Sequence, residues 1–265
     1  MEVWTKNDTA IIRCAYSEKE LVKAIGDYKF DKVSSTWNFP IHRLVDIIDH
    51  LNVQYSSETK IIYERLREER QKYHEQVNLA SHIKLNTCTV DKLDGVDLSM
   101  CYQHQKKAIT LAAMFGSYGL FMSTGTGKSI CAIKLIDYWK VPTMIVAPLS
   151  TLESVWINEI AKWSKMKSVI LWHNLKEFNN NYDIYLVNYE HFKKISKTND
   201  ITKKIKCMVI DECSKMRNPR SGITKEILKY KKTIPHRLVL SGTPNPNSLL
   251  EFWGPMEFIN EELLG

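Results

Sequence analysis

Three groups of residues in this chain have the types and spacing to act on a phosphorylated ligand. The first is GLFM-STGTGKS-ICAIKLIDYW, in which an apolar run, a glycine loop and an amphipathic segment follow directly on one another. Gly125 and Gly127, with Thr124 and Thr126 beside them, let the backbone wrap closely enough for its N–H groups to cradle phosphates. Lys128 would neutralise charge on the outer phosphates of a nucleoside triphosphate, and Ser129 would offer its hydroxyl to Mg²⁺. The helix that follows would aim its positive end at the anion. The second group is KCMVIDECS, where an apolar run ends in Asp211 with Glu212 directly after it. A carboxylate at a strand end can hold the water shell of Mg²⁺, and its neighbour can orient and deprotonate an attacking water. The third is the basic stretch from His191 to Lys232 (HFKKISK, TKKIK, SKMRNPR, KYKK). It reads either as a solvated face or as a track for a polyanion.

These groups need a scaffold, and the second part of the chain supplies one. After Asp97, short apolar runs alternate with amphipathic stretches: Gly119–Met122, Thr143–Ala147, Ser168–Trp172, Ile184–Val187, Cys207–Ile210 and Leu238–Leu240. Buried runs alternating with helices predict an α/β unit with a mostly parallel sheet covered by helices on both faces. In such sheets ligands bind at the carboxyl ends of the strands, where the loop and the carboxylate pair fall. The first part reads differently. Val3–Thr5 and Ile11–Cys14 flank KNDTA as a hairpin, SEKE at Ser17 opens a helix to Ile25, and Tyr28–Phe30 and Thr36–Phe39 are aromatic strand candidates. Pro40 opens a second helix, and residues 57 to about 79, rich in Glu, Arg, Lys and Gln, form a long exposed one. The expected division is a small α+β domain over 1–55, a helical linker over 56–96 and the α/β unit over 97–265.

Composition narrows the classes. With 265 residues, 44% hydrophobic and 25% charged, the chain can bury one large core or two modest ones. No apolar run reaches the ~20 residues that cross a bilayer, and MEVWTKNDTA lacks a signal peptide's apolar stretch. The six cysteines are scattered without a CxxC pair, which speaks against a zinc ribbon or a disulfide scaffold. A soluble intracellular protein is expected, with no membrane partner. Residues 1–96 balance at −1 whereas 97–265 carry +8, so the excess positive charge sits with the phosphate loop.

Residues 98–265 resemble the first motor lobe of superfamily-two helicases, and within them the Swi/Snf-like DNA translocases. The first glycine of GxxxxGK[ST] is Met122 here, and the looser xxTGxGK[ST] form is frequent in helicase-like ATPases. YQHQKKAI is similar to the adenine-reading glutamine segment, with Gln105 in the better register and Gln103 the alternative. TMIVAPLSTLESVWINEIAKW is similar to motif Ia, including Pro148, Ser150, Trp156, Glu159 and Trp163, and YLVNYEHF to motif Ib, with Asn188 and Tyr189. DECSKMRN resembles the DEAHRIKN segment, keeping Asn218 and placing Arg217 where lysine is usual. LVLSGTPNPNSLLEFWGPMEFI resembles LTGTPxxNxxxELWxLxxFL.

The resemblance implies a RecA-like fold, ATP and Mg²⁺ as ligands, and DNA held by its backbone at Pro148, Ser150, Asn188, Tyr189, Lys215 and Arg217. It implies coupling between nucleotide and DNA through Ser214, Ser241, Gly242 and Thr243, with Ser214 standing where the family has histidine. It also implies a second RecA-like lobe, absent from these 265 residues, whose arginine finger supports turnover; the chain alone is expected to hydrolyse ATP poorly. The first ~50 residues resemble, more distantly, the HepA-related domain of annealing helicases, which suggests branched or forked DNA. Tyr28, Phe30, Trp37 and Phe39 are then either base-stacking residues or a mini-core. Two other functions compete: a non-catalytic nucleic-acid-binding lobe, and a small-molecule P-loop phosphotransferase, in which the SGTP and STLESVW segments have no role.

Overall fold

Asn7 and Asp8 turn the chain between β1 (Glu2–Lys6) and β2 (Thr9–Arg13), which pair antiparallel. Asn7 takes a φ of 53°, a conformation asparagine tolerates better than most residues. Alternation puts Val3, Ala10 and Ile12 on one face, all buried. The computed structural model describes residues 1–85, 90–171, 178, 181–198, 200–242 and 252–260. They belong to two compact units, Met1–Leu79 and Ala80–Gly265.

In the first unit, α1 (Lys19–Ala24) is entered through a 3-10 turn at Tyr16–Glu18. The cap expected at Ser17 lies earlier, because the Glu18 carboxylate accepts from the Ala15 N–H at 2.9 Å and closes the turn there. β3 (Lys29–Asp31) and β4 (Thr36–Pro40) extend the hairpin antiparallel, and β5 (Gln54–Tyr55) joins β1 in parallel, giving the order β3-β4-β2-β1-β5. Trp37 and Phe39 are buried with Val22, Leu44 and Ile47, the last two from α2 (Leu44–His50). Tyr28 and Phe30 lean on Trp37, ring centroids 4.9 and 4.7 Å away, and stay 38% and 46% exposed. Half of the aromatic set therefore builds the core and half remains at the surface. The charged helix α3 (Ser57–Leu85) lays Ile62, Tyr63 and Leu66 against this core. Its Arg70 donates to the Asp46 carboxylate at 2.7 Å and to the His42 carbonyl at 3.2 Å. The boundary between the units falls inside this helix.

The second unit opens with a two-stranded ribbon, β6 (Lys92–Leu93) and β7 (Val96–Asp97), and α4 (Gln103–Phe115). β8 (Ser117–Phe121), β9 (Thr143–Ala147), β10 (Ser168–Ile170), β11 (Ile184–Asn188), β12 (Cys207–Ile210) and β13 (His236–Ser241) form one sheet in the order β10-β11-β9-β12-β13-β8. All five pairings are parallel. Every residue of β9, β11 and β12 is buried, as expected for strands covered on both sides. Their alternation divides the core in two. Ile145, Leu186 and Val209 face the side of α4 and α5 (Lys128–Trp139), while Met144, Tyr185 and Met208 face the other. Truncating one of these side chains to alanine would cost about 2–5 kcal/mol.

After β9 the chain runs through α6 (Leu149–Thr151), a π-helical stretch at Leu152–Ile157 and α7 (Asn158–Trp163) on the first side. α8 (Tyr189–Thr198), α9 (Gly222–Leu228) and α10 (Trp253–Ile259) supply Phe192, Ile195, Ile227 and Phe258 to the second. The end of α10 is held by Arg237, whose guanidinium donates to the Phe258 and Ile259 carbonyls, each at 2.7 Å. A cation at the carboxyl end of a helix satisfies the last carbonyls and opposes their dipole. The unit is a RecA-like α/β fold. Trp172, expected at the end of β10, lies outside the described residues, and no helix among those described is long and apolar enough to cross a membrane.

Candidate functional site

The loop between β8 and α5 is shaped by its glycines. Gly125 and Gly127 sit at φ 81° and 87°, where a side chain would be strained. Gly127 is also crowded: a Cβ there would stand 2.3 Å from Gln105 Nε2. Gln105, buried on α4, donates to the Thr126 carbonyl at 2.9 Å and accepts from the Tyr102 N–H at 2.9 Å. Gln103, the alternative, is exposed at the start of α4. Lys128, the first residue of α5, donates its ammonium to the Met122 and Ser123 carbonyls at 2.9 and 3.1 Å. Thr124 and Gly125 are exposed, and Thr126 and Ser129 are half-buried.

The carboxylate pair stands two strands away. β13 separates β8 from β12, and its end carries Ser241 and Gly242. Gly242 bridges the gap: a Cβ on it would lie 2.8 Å from Thr124 Oγ1 and 3.6 Å from Lys128 Nζ. Asp211, directly after β12, is largely enclosed. Burial pushes its carboxyl above the usual carboxylate range, and the Glu212 charge adds to that. Trp156, the Glu212 N–H and the Lys128 charge oppose the rise. Its two oxygens accept from Trp156 Nε1 and the Glu212 N–H, both at 2.9 Å. Glu212 itself takes a left-handed backbone, φ 53° and ψ 57°.

The strand-end residues expected to touch DNA divide into two sets. Ser150 and Lys215 are exposed, and Pro148 and Arg217 are half-buried. Asn188 and Tyr189 turn inward. Asn188 Oδ1 accepts the His191 N–H at 2.7 Å, inside the first turn of α8, and the Tyr189 hydroxyl donates to the Asp211 carbonyl. Burial raises the Tyr189 phenol well above its ordinary pKa, and the neighbouring acidic groups raise it further. Ser214 stays local, its hydroxyl 3.3 Å from the Glu212 carbonyl. Cys213 is the residue of this segment beside Ser241; burial pushes its thiol up to about 12, and the Ser241 side chain opposes the rise. Thr243 lies outside the described residues. Glu159 and Trp163 pair with each other, the indole N–H donating to the carboxylate at 3.0 Å one turn away.

The sequence profile of the SNF2-related domain matches residues 14–265. The chain belongs to this family. Among curated proteins, the SNF2-related chain is 33% identical over 153 residues to nuclear protein STH1/NPS1 of Saccharomyces cerevisiae, a match spanning 51% of this chain and 11% of that protein. It is 32% identical over 152 residues to ATP-dependent helicase brm of Drosophila melanogaster, spanning 51% and 9%. It is 29% identical to the human SWI/SNF-related matrix-associated actin-dependent regulator of chromatin subfamily A member 1, spanning 51% and 14%. The SNF2-related chain thus aligns with only about a tenth of the length of these relatives. Among solved structures it is similar to the Sulfolobus solfataricus SWI2/SNF2 ATPase core in complex with dsDNA. The TM-score is 0.52 at 24% identity, over 61% of this chain and 36% of that one. At that identity the likeness speaks for the fold.

Two residues of the site, Trp156 and Cys213, carry contacts that the sequence does not announce. Trp156 is visible as part of STLESVW, but only the fold brings its indole to Asp211. Cys213 reads as an apolar residue inside DECS, and nothing in its spacing points to Ser241.

Proposed function

We propose that this SNF2-related chain is the ATP-binding motor lobe of a DNA translocase, driving movement along DNA when paired with a second RecA-like lobe. The observation that carries the reading is the convergence at Gly242. This residue stands against Thr124 and Lys128 of the glycine loop on one side, and its neighbour Ser241 stands beside Cys213 of the carboxylate segment on the other. A phosphate cradle and an acidic pair thereby share the carboxyl ends of three adjacent strands.

The residues fit the ligands. In this reading the backbone of Thr124–Gly127 surrounds phosphates, and Lys128 exchanges its bonds to the Met122 and Ser123 carbonyls for bonds to phosphate oxygens. Gln105 holds the loop from behind through its bond to the Thr126 carbonyl and, in this reading, takes part in recognising the base. Asp211, buried beside a second carboxylate with half of its lone pairs unused, suits a cation, which together with Ser129 it would hold as Mg²⁺. The metal would draw off charge developing on the phosphates. Glu212 orients the attacking water and takes its proton.

DNA, in the same reading, lies along the strand ends at exposed Ser150 and Lys215 and half-buried Pro148 and Arg217, contacted through its phosphates. Asn188 and Tyr189 contribute by shaping α8 and the acidic turn rather than through the atoms already engaged. We assign residues 1–55 to an accessory domain, 56–96 to a helical connection whose first turns pack on that domain, and 97–265 to the motor lobe. The finer reading, action on forked or branched DNA, is supported by Tyr28 and Phe30, which remain partly exposed beside Trp37 and have the flat faces on which bases stack.

Calorimetric titration with ATP tests the division of labour. Asp211→Asn should weaken binding about tenfold or more in Mg²⁺ while changing it little in EDTA, and Glu212→Gln should leave affinity within about twofold. Equal losses in the two variants would contradict the assignment.

A further inference from the structure

Two side chains tie the segments after β9 and β11 to the carboxylate pair after β12. Trp156 is fully buried, and its indole N–H donates to Asp211 Oδ2 at 2.9 Å. Tyr189, the first residue of α8, donates its hydroxyl to the Asp211 carbonyl and lies 3.3 Å from the Glu212 carbonyl. A buried indole needs an acceptor, but a backbone carbonyl would serve as well and would spare the protein a buried carboxylate. The acceptor here is the acidic group at the centre of the candidate site.

The backbone around Trp156 is also unusual. Leu152–Ile157 is π-helical, set between the α-helical turns of α6 and α7, and such wide turns concentrate at functional positions. Within this run Leu152 and Trp156 are buried while Glu153, Ser154 and Val155 are exposed, and Ser150 is exposed one turn earlier. α8 has the same two-sided character. Tyr189 is anchored at the acidic turn, whereas Lys193, Lys194 and Lys197 are exposed. α8 thus has a basic outer face suited to an anionic backbone, the stretch from Ser150 to Ser154 offers two exposed hydroxyls beside Glu153, and each element sends one inner side chain to the residue pair that would hold metal and water.

We propose that Trp156 and Tyr189 are positioning residues, which couple the seating of a DNA backbone on these two elements to the placement of Asp211 and Glu212, and through them to nucleotide affinity. The inference rests on the motor-lobe reading above. Trp156 acts on the carboxylate and Tyr189 on the backbone that carries it, so a small shift of either element moves the acidic pair. Linkage makes the effect reciprocal: a duplex that alters nucleotide affinity has its own affinity altered by the same factor.

The test measures the affinity of the 265-residue chain for a non-hydrolysable Mg²⁺-ATP analogue, with and without a saturating linear DNA duplex at low salt. The quantity read is the ratio of the two affinities. For the parent this ratio should be about fivefold or more, with the same factor recovered when duplex binding is measured with and without the analogue. In Tyr189→Phe, which keeps the ring and removes only the hydroxyl, and in Trp156→Phe, it should collapse toward one, whatever the affinity for each ligand alone. If Trp156→Phe does not fold, Tyr189→Phe decides the matter by itself. A parent that binds both ligands independently, or variants that keep its ratio, would overturn the coupling. A parent that binds neither ligand would instead overturn the motor-lobe reading on which it rests.

Discussion

Glu212 holds a left-handed backbone at φ 53°, which costs a residue with a Cβ about 1–2 kcal/mol. Such strain next to a buried aspartate is where function and stability part company. Glu212→Gly should therefore raise the unfolding free energy of the second unit by about 1 kcal/mol in urea denaturation, at the expense of the carboxylate. A loss of that size would mean that the side chain itself supports the turn. The residues proposed for the nucleotide site, Lys128, Gly125, Gly127, Asp211 and Glu212, stand out in the sequence because the chemistry proposed for them depends on local spacing. Asn188 and Tyr189 were legible as a motif but not in their engagement: the sequence does not show that an amide oxygen caps α8 or that a phenol faces inward to the Asp211 carbonyl. The Asn188 cap is local, three residues from its partner His191, whereas Tyr189 meets the Asp211 carbonyl only because β9 holds the ends of β11 and β12 on its two sides.

At the scale of elements, the central strands were readable almost residue for residue, since burial on both faces leaves uninterrupted apolar runs with sharp ends. Thr143–Ala147 and Cys207–Ile210 match the runs themselves. The flanking strands were less so. β13 begins at His236 and β8 at Ser117, two residues ahead of their apolar runs, because Arg237 pairs with Ser117 in the ladder and polar residues at a strand's start leave no periodic signal. α3 shows a related limit: its charged surface reads as an exposed helix, while a few positions fasten it to the first unit. Asp46 is one partner in that fastening. Burial alone would raise its carboxyl, but Arg70 and Arg43 bring it below the usual range. A folded pKa below the unfolded one gives stability that is complete above the unfolded value of ~3.9 and fades as pH falls through the folded value. Asp46→Asn should therefore speed amide hydrogen exchange in α2 and the first half of α3 at pH 7, with the gap to the parent narrowing below about pH 4. A gap independent of pH would assign the effect to packing rather than charge.

For the whole molecule the uneven charge is the most telling property, −1 over residues 1–96 against +8 over 97–265. DNA binding through phosphates should weaken steeply with salt and vary little with base sequence. Lys215→Ala should lower the salt slope by about one unit, while half-buried Arg217 should contribute less; equal slopes for parent and Lys215→Ala would remove that residue from the track. The nucleotide site itself is proposed to form where the glycine loop, the acidic pair and Gly242 meet at the carboxyl ends of β8, β12 and β13. It is tested most directly by the thermal shift that Mg²⁺-ATP produces in the parent and in Lys128→Ala. Ligand binding to the folded state alone raises stability with the logarithm of one plus the ratio of ligand concentration to Kd. The parent should melt at a higher temperature as Mg²⁺-ATP rises into the millimolar range, and Lys128→Ala should not. A Lys128→Ala protein that keeps the full shift would place the nucleotide elsewhere.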